Sequence, residues 1–250
     1  MRILGIDTAI PTASVALTED GELLAEEIHG RDVGHENGAT ARPMGNHAEV
    51  VLPLIGALLK KAHITLQQLS GIAVSIGPGS FTGLRIGLAT AKGIAYESGL
   101  PLVGISTLQA NAARVKNFNG VIASLLDARK GEVYIALFRR DQMNTKRLTA
   151  DTVVSIKSAI DVVRNYYEAT NASLLLIGDG AKAYERQWVD AFGATVLIST
   201  GCCYPSVASQ VATLAGERLI TGALDDVGAL TPVYLRLSEA ENKRSLRLTG

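Results

Sequence analysis

Cysteine is almost absent from this sequence of 250 residues, which contains only Cys202 and Cys203. Neighbouring cysteines seldom form a relaxed disulfide, because the bond needs two Cα atoms that lie farther apart than adjacent residues allow. A fold held together by disulfides is therefore excluded, and the composition fits a reducing compartment.

Net charge is also lacking, since 24 Lys and Arg residues balance 24 Asp and Glu residues. A protein that binds nucleic acid tightly on its own normally carries a basic field. We therefore expect any contact with nucleic acid to depend mainly on a partner.

Long apolar runs are missing as well. No stretch approaches the length of a membrane span, and the first seven residues lack the apolar region of a signal peptide. We expect a cytoplasmic protein without membrane contact. Hydrophobic residues nevertheless make up 47% of the chain, which is enough for a sizeable core in one large domain or two modest ones.

Catalytic signatures are absent too. The segment 77–83 (GPGSFTG) looks suited to phosphate, because a loop that leads into a helix offers free backbone donors. It lacks the spacing of a P-loop and of Gly-x-Gly-x-x-Gly. No His-Glu-x-x-His, Gly-x-Ser-x-Gly or Cys-x-x-Cys occurs. The sequence predicts no catalytic residue and no metal site.

The stretch that organises the chain covers residues 72–99. Residues 72–76 read as a buried strand, and a helix follows with Thr82 as its predicted N-cap, Ser98 as its last residue and Gly99 beyond it. One ridge of this helix carries almost no side chain, because Gly83, Gly87, Ala91 and Ala95 recur every four residues. Glycine within a helix costs about 1 kcal/mol relative to alanine, so we expect another backbone close by, either inside the chain or across a subunit interface.

The preceding helix, predicted over residues 46–61 with Asn46 as its cap, is apolar nearly all round. Such a helix must be covered on two sides, and a sheet covers only one. Both helices together therefore favour a partner interface. Its predicted residues are His47, Val50, Val51, Leu54, Leu58, Phe81, Gly83, Gly87, Ala91 and Ala95.

A pattern of strand, acidic residue, turn and strand occurs twice. Residues 2–6 end on Asp7 and Thr8, and residues 121–126 end on Asp127. The repeat predicts two related lobes, an N-terminal lobe over 1–106 that carries the interface and a C-terminal lobe over 107–231. A surface tail covers 232–250, and residues 30–45 read as a long loop.

Five segments resemble the bacterial TsaB (YeaZ) family. They are residues 4–8 (LGIDT), 47–54 (HAEVVLPL), 75–87 (SIGPGSFTGLRIG), 127–134 (DARKGEVY) and 232–236 (PVYLR). The match runs from one end of the chain to the other, and the segment 75–87 is its most specific part.

The resemblance implies a two-lobed actin-like fold of the sugar kinase and Hsp70 type, with ribonuclease-H-like mixed sheets flanked by helices. It implies a non-catalytic subunit of the complex that forms threonylcarbamoyladenosine beside the anticodon of tRNA. The implied partners are the catalytic TsaD-type subunit in a heterodimer, a TsaE-type ATPase and, indirectly, tRNA. The isolated chain is implied to form a homodimer through the same helices.

The resemblance also bears on ligands. It makes Asp7, Thr8 and Asp127 a vestigial phosphate or nucleotide site. Where TsaD-like proteins carry a His-x-x-x-His metal pair, this chain has Thr107 and Asn111, which are poor ligands for a transition metal. No metal and no tightly bound cofactor is expected, and a nucleotide at the subunit junction stays open. The alternative is a free-standing actin-like enzyme, either an ATP-dependent kinase or a metallopeptidase.

Overall fold

The computed structural model describes residues 1–30, 47–141, 144–168, 172–193, 196–199 and 206–236. In chain order, its first part forms β1 (Arg2–Asp7), β2 (Ala13–Glu19), β3 (Glu22–His29), α1 (His47–Ala62), a 3₁₀ turn (Leu66–Gln68), β4 (Gly71–Gly77), α2 (Phe81–Ser98), β5 (Leu102–Ser106) and α3 (Thr107–Ala113). Its second part forms β6 (Gly120–Arg129), β7 (Glu132–Asp141), β8 (Asn144–Arg147), β9 (Thr152–Ser155), α4 (Ile156–Glu168), β10 (Ser173–Ile177), α5 (Asp179–Ala183), α6 (Glu185–Phe192), β11 (Leu197–Ile198) and α7 (Ala208–Ile220).

Two mixed sheets with the same topology organise these elements. The first has the strand order β3-β2-β1-β4-β5, and the second has the order β8-β7-β6-β10-β11, with β9 also paired to β7. In each sheet an antiparallel meander is extended by two parallel strands. The repeated sequence pattern therefore marks two related lobes, and the predicted fold with two ribonuclease-H-like sheets flanked by helices is confirmed.

Alternation along β1 places its side chains in two different cores. Leu4 and Ile6 pack with the buried side chains of α1 and α2, whereas Ile3 packs with those of α7. A Cβ atom at Gly5 would lie 2.2 Å from the Ala208 carbonyl oxygen. Glycine at this position therefore allows α7 to lie close against the strand.

Helix α2 begins earlier than predicted, because its N-cap is Ser80 rather than Thr82. The Ser80 side chain accepts a hydrogen bond from Gly83 N at 3.2 Å, which satisfies one of the free amides of the first turn. The predicted end is confirmed. Gly99 follows Ser98 in a left-handed conformation with φ of 67°, which glycine adopts at little cost.

The C-terminal lobe departs from the sequence prediction in two places. The short strands β8 and β9 were not predicted, and the helix expected over 181–192 is divided at Tyr184 into α5 and α6. The loop predicted over 30–45 and the cap at Asn46 lie outside the described residues, except for Gly30.

The predicted lobe boundaries do not match the packing of the last part of the chain. Helix α7, which lies within the predicted C-terminal lobe 107–231, packs on β1, β2 and β4 of the first sheet. Residues 232–236 of the predicted surface tail contact both lobes. Among the described residues, no helix combines the length and the apolar composition needed to cross a membrane.

Candidate functional site

The residues that follow β1 pack against the first turn of α2 and the residue before it. Thr8 Oγ1 donates a hydrogen bond of 2.7 Å to the Gly83 carbonyl oxygen. Ser80 N donates one of 2.7 Å to the Ala9 carbonyl oxygen. A Cβ atom on Gly83 would lie 1.9 Å from Thr8 O, and one on Gly87 would lie 2.3 Å from Thr8 Oγ1. Gly83 therefore makes room for the Thr8 backbone, and Gly87 makes room for the Thr8 side chain. Ser80 N, which looked available to a phosphate, already has a partner.

The small-residue ridge of α2 is thus an internal contact, which corrects the interface prediction. Gly83, Gly87, Ala91 and Ala95 are all buried within the chain. Spacing alone indicated that a backbone comes close to this ridge, and the structure identifies that backbone as the tip of β1. A partner cannot contact these four residues in this conformation.

The α1 residues predicted for the interface divide by burial. Val51 and Leu58 are buried in the core beneath the helix, so they too are removed from the contact set. Val50 and Leu54 are partly buried and pack against the same core. His47 starts the helix, with its Nε2 atom 3.4 Å from the Pro11 carbonyl oxygen. The face of α1 that was predicted to contact a partner is therefore not the exposed face of the helix.

An exposed face with few charges lies on the other side of the two helices. Both pack on the same side of the first sheet, and their outward residues form what we call the outer helix face. Its members are Leu52, Pro53, Gly56, Arg85, Ala89, Gly93 and Tyr96. Leu52 is 58% exposed and Tyr96 is 87% exposed. Apart from the adjacent residues and the backbone of the same helix, no atom of the described chain lies within 4 Å of a Cβ built on Gly56 or Gly93, so both glycines face open space.

Between the lobes lies a cleft of about 380 Å³. It is bounded by the turn after β1, the start of α1, the loop before α2, the end of β6 and the start of α5. Its lining comprises Ala9, Ile10, Pro11, His47, Gly79, Ser80, Leu126, Asp127, Ala128, Arg129, Tyr134 and Asp179. The volume falls within the range of small-molecule sites.

Asp7, predicted as part of a vestigial phosphate or nucleotide site, is fully buried at the end of β1. Its Oδ1 accepts a hydrogen bond from Ala9 N at 3.3 Å, and its Oδ2 has no hydrogen-bond partner among the described residues. Burial raises the pKa of this carboxyl to about 6, against the lowering effects of Ser75 and the Ala9 amide. The neutral form is therefore favoured over a wider pH range than for an exposed Asp.

A pair of carboxylates lines the opposite wall of the cleft. Asp127 accepts hydrogen bonds from Arg129 N at 2.8 Å and from Tyr184 Oη at 3.2 Å, and the Arg129 guanidinium lies 3.4 Å from its Oδ2. Asp179 Oδ1 accepts a hydrogen bond from Asp127 N at 3.0 Å. Burial raises the pKa of Asp179 to about 6.

Sequence reasoning missed Asp179 as a lining residue. The signal was nevertheless present, because an acidic residue that follows a parallel strand lies at the carboxyl edge of its sheet, where clefts of α/β folds form. Asp7, Thr8 and Asp127 were expected to act together. The structure places only Asp127 on the cleft wall and uses Thr8 to hold α2.

Thr107 and Asn111, which correspond to the His-x-x-x-His metal pair of TsaD-like proteins, pack inside the chain. Thr107 and Asn111 are both buried in α3, and Asn111 Nδ2 donates a hydrogen bond of 3.2 Å to Ser124 Oγ. Within the part of the chain that the structure describes, no three His, Cys, Asp or Glu side chains come together as metal ligands. The arrangement of Thr107 and Asn111 supports the packing of α3 on β6.

Comparisons with known proteins match this chain to proteins described as TsaD, TsaB or YeaZ. Residues 42–243 match the family model described as TsaD, tRNA N6-adenosine threonylcarbamoyltransferase. The tRNA threonylcarbamoyladenosine biosynthesis protein TsaB of Bacillus subtilis is 30% identical over 97% of each chain. The protein of the same name from Escherichia coli is 31% identical over 97% of this chain and 98% of its own. A crystal structure from Pseudomonas aeruginosa, described as an uncharacterized protein with similarity to peptidase YEAZ, superimposes with a TM-score of 0.75 at 26% identity and covers 94% of this chain and 99% of its own.

Proposed function

Because this chain belongs to the TsaB (YeaZ) family, we propose that it is a non-catalytic subunit in the biosynthesis of tRNA threonylcarbamoyladenosine. In this proposal it binds a TsaD-type transferase in a heterodimer and supports its activity. A TsaE-type ATPase joins the pair, and tRNA is contacted mainly through the partners, in the cytoplasm.

The observation that carries the proposal is the outer helix face. Leu52 and Tyr96 are largely exposed there, and Gly56, Ala89 and Gly93 contribute no side-chain atom beyond the single Cβ of Ala89. Small residues allow the backbone of a partner helix to come close, which gains packing contacts. Exposed apolar residues beside small ones are typical of a surface that is covered in an assembly.

The two helices suit a helical partner. Leu52 and Gly56 are separated by one turn of α1, as are Ala89 and Gly93 on α2. Each pair therefore offers a groove one turn long into which a ridge of another helix fits. A TsaD-type subunit presenting two helices would complete a four-helix contact, and a second copy of this chain would use the same face when the partner is absent.

The non-catalytic part of the proposal is supported by the cleft. Asp127 is engaged by Arg129 and Tyr184, and Asp179 is engaged by the amide of Asp127. Among the described residues, the hydrogen bonds to these carboxylates come from backbone amides and Tyr184 rather than from a Ser, Cys, Thr or His side chain. We propose that the chain binds no cofactor tightly by itself, and that any nucleotide sits at the junction with the partner.

Complex formation tests this function. The chain is mixed with the TsaD-type protein of the same organism and examined by size-exclusion chromatography with light scattering, followed by calorimetry. We expect a stoichiometric heterodimer that forms at the expense of any homodimer. Ala89→Glu places a charge in the centre of the outer helix face, and we expect it to weaken the complex by at least about 100-fold, since burying an unpaired charge at an interface is costly.

The matched control is Ala183→Glu, which introduces the same charge at an exposed alanine at the end of α5 in the other lobe. It should leave the affinity unchanged. Full affinity of the Ala89→Glu variant would show that the outer helix face is not the contact. Absence of any complex with the wild-type chain would overturn the proposed function itself.

A free-standing kinase or metallopeptidase is the less supported alternative. It requires saturable binding of ATP–magnesium or of a transition metal by the chain alone, with Asp127 taking part. Calorimetry on the wild-type chain and on Asp127→Ala distinguishes the two functions, because the subunit proposal expects no heat of binding in either protein.

A further inference from the structure

The described residues after α7 continue along the first lobe before they reach the second. Asp225 N donates a hydrogen bond of 3.1 Å to the Leu102 carbonyl oxygen, and Lys92 Nζ donates one of 2.9 Å to the Gly228 carbonyl oxygen. Val233 N then donates one of 2.7 Å to the Ile76 carbonyl oxygen. The chain is therefore fixed to the end of β4, beside the interlobe cleft.

The close approach of Val233 explains a glycine that looked like part of a phosphate loop. A Cβ atom on Gly77 would lie 2.7 Å from the Val233 carbonyl oxygen. Gly77 also has a φ of 120°, which side chains rarely allow. This glycine therefore serves the contact with residue 233.

An aromatic clasp follows the backbone contact. The rings of Tyr234 and Phe81 stack with centroids 3.9 Å apart and planes 9° from parallel. Arg85 Nε donates a hydrogen bond of 2.9 Å to Tyr234 Oη, and its guanidinium lies 4.7 Å from the centre of the Phe81 ring. Stacking and cation–π contacts of this kind stabilise the position of both rings beyond the effect of area burial.

Two residues further on, the chain is attached to the second lobe. Arg236 Nη1 donates a hydrogen bond of 2.7 Å to the Ala128 carbonyl oxygen and lies 3.3 Å from Glu132 Oε2. Ala128 lines the cleft, and Glu132 starts β7. Residues 233–236 thus connect the first lobe to the turn between β6 and β7.

We propose that residues 232–236 form a strap that locks the two lobes at one angle beside the cleft. Three contacts do this: the Val233–Ile76 hydrogen bond, the clasp of Tyr234 with Phe81 and Arg85, and the attachment of Arg236 to the second lobe. Lobe closure around a cleft commonly depends on a bound ligand that bridges the two sides. The two lobes of this chain already share a buried core around α3 and α7. Residues 232–236 add bridging contacts at the cleft, so one arrangement persists there without a ligand. The strap does not rest on the proposed function.

The test measures the distance between the lobes in the full-length chain. Cys202 and Cys203 are replaced by serine, and spin labels are attached at Lys60→Cys on α1 and Arg186→Cys on α6, both exposed sites. Pulsed electron resonance then gives the distance distribution without added ligand. We expect one narrow distribution for the intact strap. In the variant Tyr234→Ala/Arg236→Ala the distribution should become at least about twice as wide or gain a second maximum.

A control variant, Lys182→Ala/Ile220→Ala, removes exposed side chains of similar size outside the strap and should retain the narrow distribution. Circular dichroism verifies that each variant is folded. If the double strap variant does not fold, Arg236→Gln is measured instead, because it weakens only the attachment to the second lobe. A broad distribution in the intact chain, equal widths with and without the strap, or equal broadening in the control would each overturn the proposal.

Discussion

The two sides of α2 use the same residue type for opposite purposes. On the inner side, Gly83 and Gly87 lie against Thr8 so closely that neither has room for a Cβ atom. On the outer side, no atom of the described chain outside the adjacent residues and the backbone of α2 lies within 4 Å of a Cβ position on Gly93. The inner glycines are required by packing within the chain, whereas the outer one is not required by anything the structure contains.

This difference teaches how to interpret a glycine within a helix. Glycine lowers helix stability by about 1 kcal/mol relative to alanine wherever it occurs. At Gly83 that loss is offset by the hydrogen bond from Thr8 and by close packing. At Gly93 the described part of the chain offers no such compensation, so the compensating contact is expected from a partner.

The largest loss of stability is expected from a substitution that adds side-chain atoms on the inner side of α2. Gly83→Val would place side-chain atoms on the Thr8 carbonyl oxygen, which is backbone and cannot turn away. We expect the free energy of unfolding to fall by at least about 4 kcal/mol, so that the variant is largely unfolded. Urea unfolding followed by circular dichroism measures this loss.

The same substitution at Gly93 is the matched control, and we expect it to change the free energy of unfolding by less than about 1 kcal/mol. Similar losses at both positions would erase the distinction between the two sides. A small loss at Gly83 would mean that the tip of β1 can move away from α2.

The sequence predicted the elements of the first lobe almost completely because their signals are local. The strand before α2, the C-terminal Gly99 and the acidic tip at Asp7 all follow from short patterns. The repeated sheet also followed, since the pattern around Asp127 copies that around Asp7.

The direction in which the small-residue ridge faces was not predictable in the same way. Its four-residue spacing requires a nearby backbone but does not say whose backbone it is. Thr8 lies 75 residues before Gly83, and a contact at such a separation leaves no periodic trace. The contact of Tyr234 with Phe81 was missed for the same reason.

A smaller effect is expected at Asp7, the last residue of β1, which precedes the Thr8 that packs on the inner side of α2. Its pKa is about 6 in the folded chain, against an ordinary value of 3.8, so the folded state binds the proton more tightly than the unfolded state does. The stability that Asp7 contributes is therefore greatest below pH 3.8 and is lost as the pH rises to about 6. Asp7→Asn keeps an acceptor for the Ala9 amide and removes the buried charge. We expect it to stabilise the chain by up to about 3 kcal/mol at pH 8.

Urea unfolding of the wild type and of Asp7→Asn at pH 4 and pH 8 measures this difference. The advantage of the variant should shrink steeply towards pH 4, where most of the wild-type carboxyl is already protonated in the folded state. An advantage that is equal at both pH values would show that Asp7 acts through packing and hydrogen bonding rather than through its charge.

The smallest effect separates the two sides of α2 most cleanly, because it has opposite signs on them. Gly93→Ala adds a single methyl group in open space, so we expect it to stabilise the isolated chain by about 0.5–1 kcal/mol through helix propensity. Gly87→Ala adds the same group 2.3 Å from Thr8 Oγ1, where the clash outweighs the propensity and stability falls. In the complex with the TsaD-type partner, the methyl group at position 93 should weaken binding, since it keeps the partner helix at a greater distance. A Gly93→Ala chain that is more stable and binds its partner with unchanged affinity would show that this glycine serves neither the fold nor the interface.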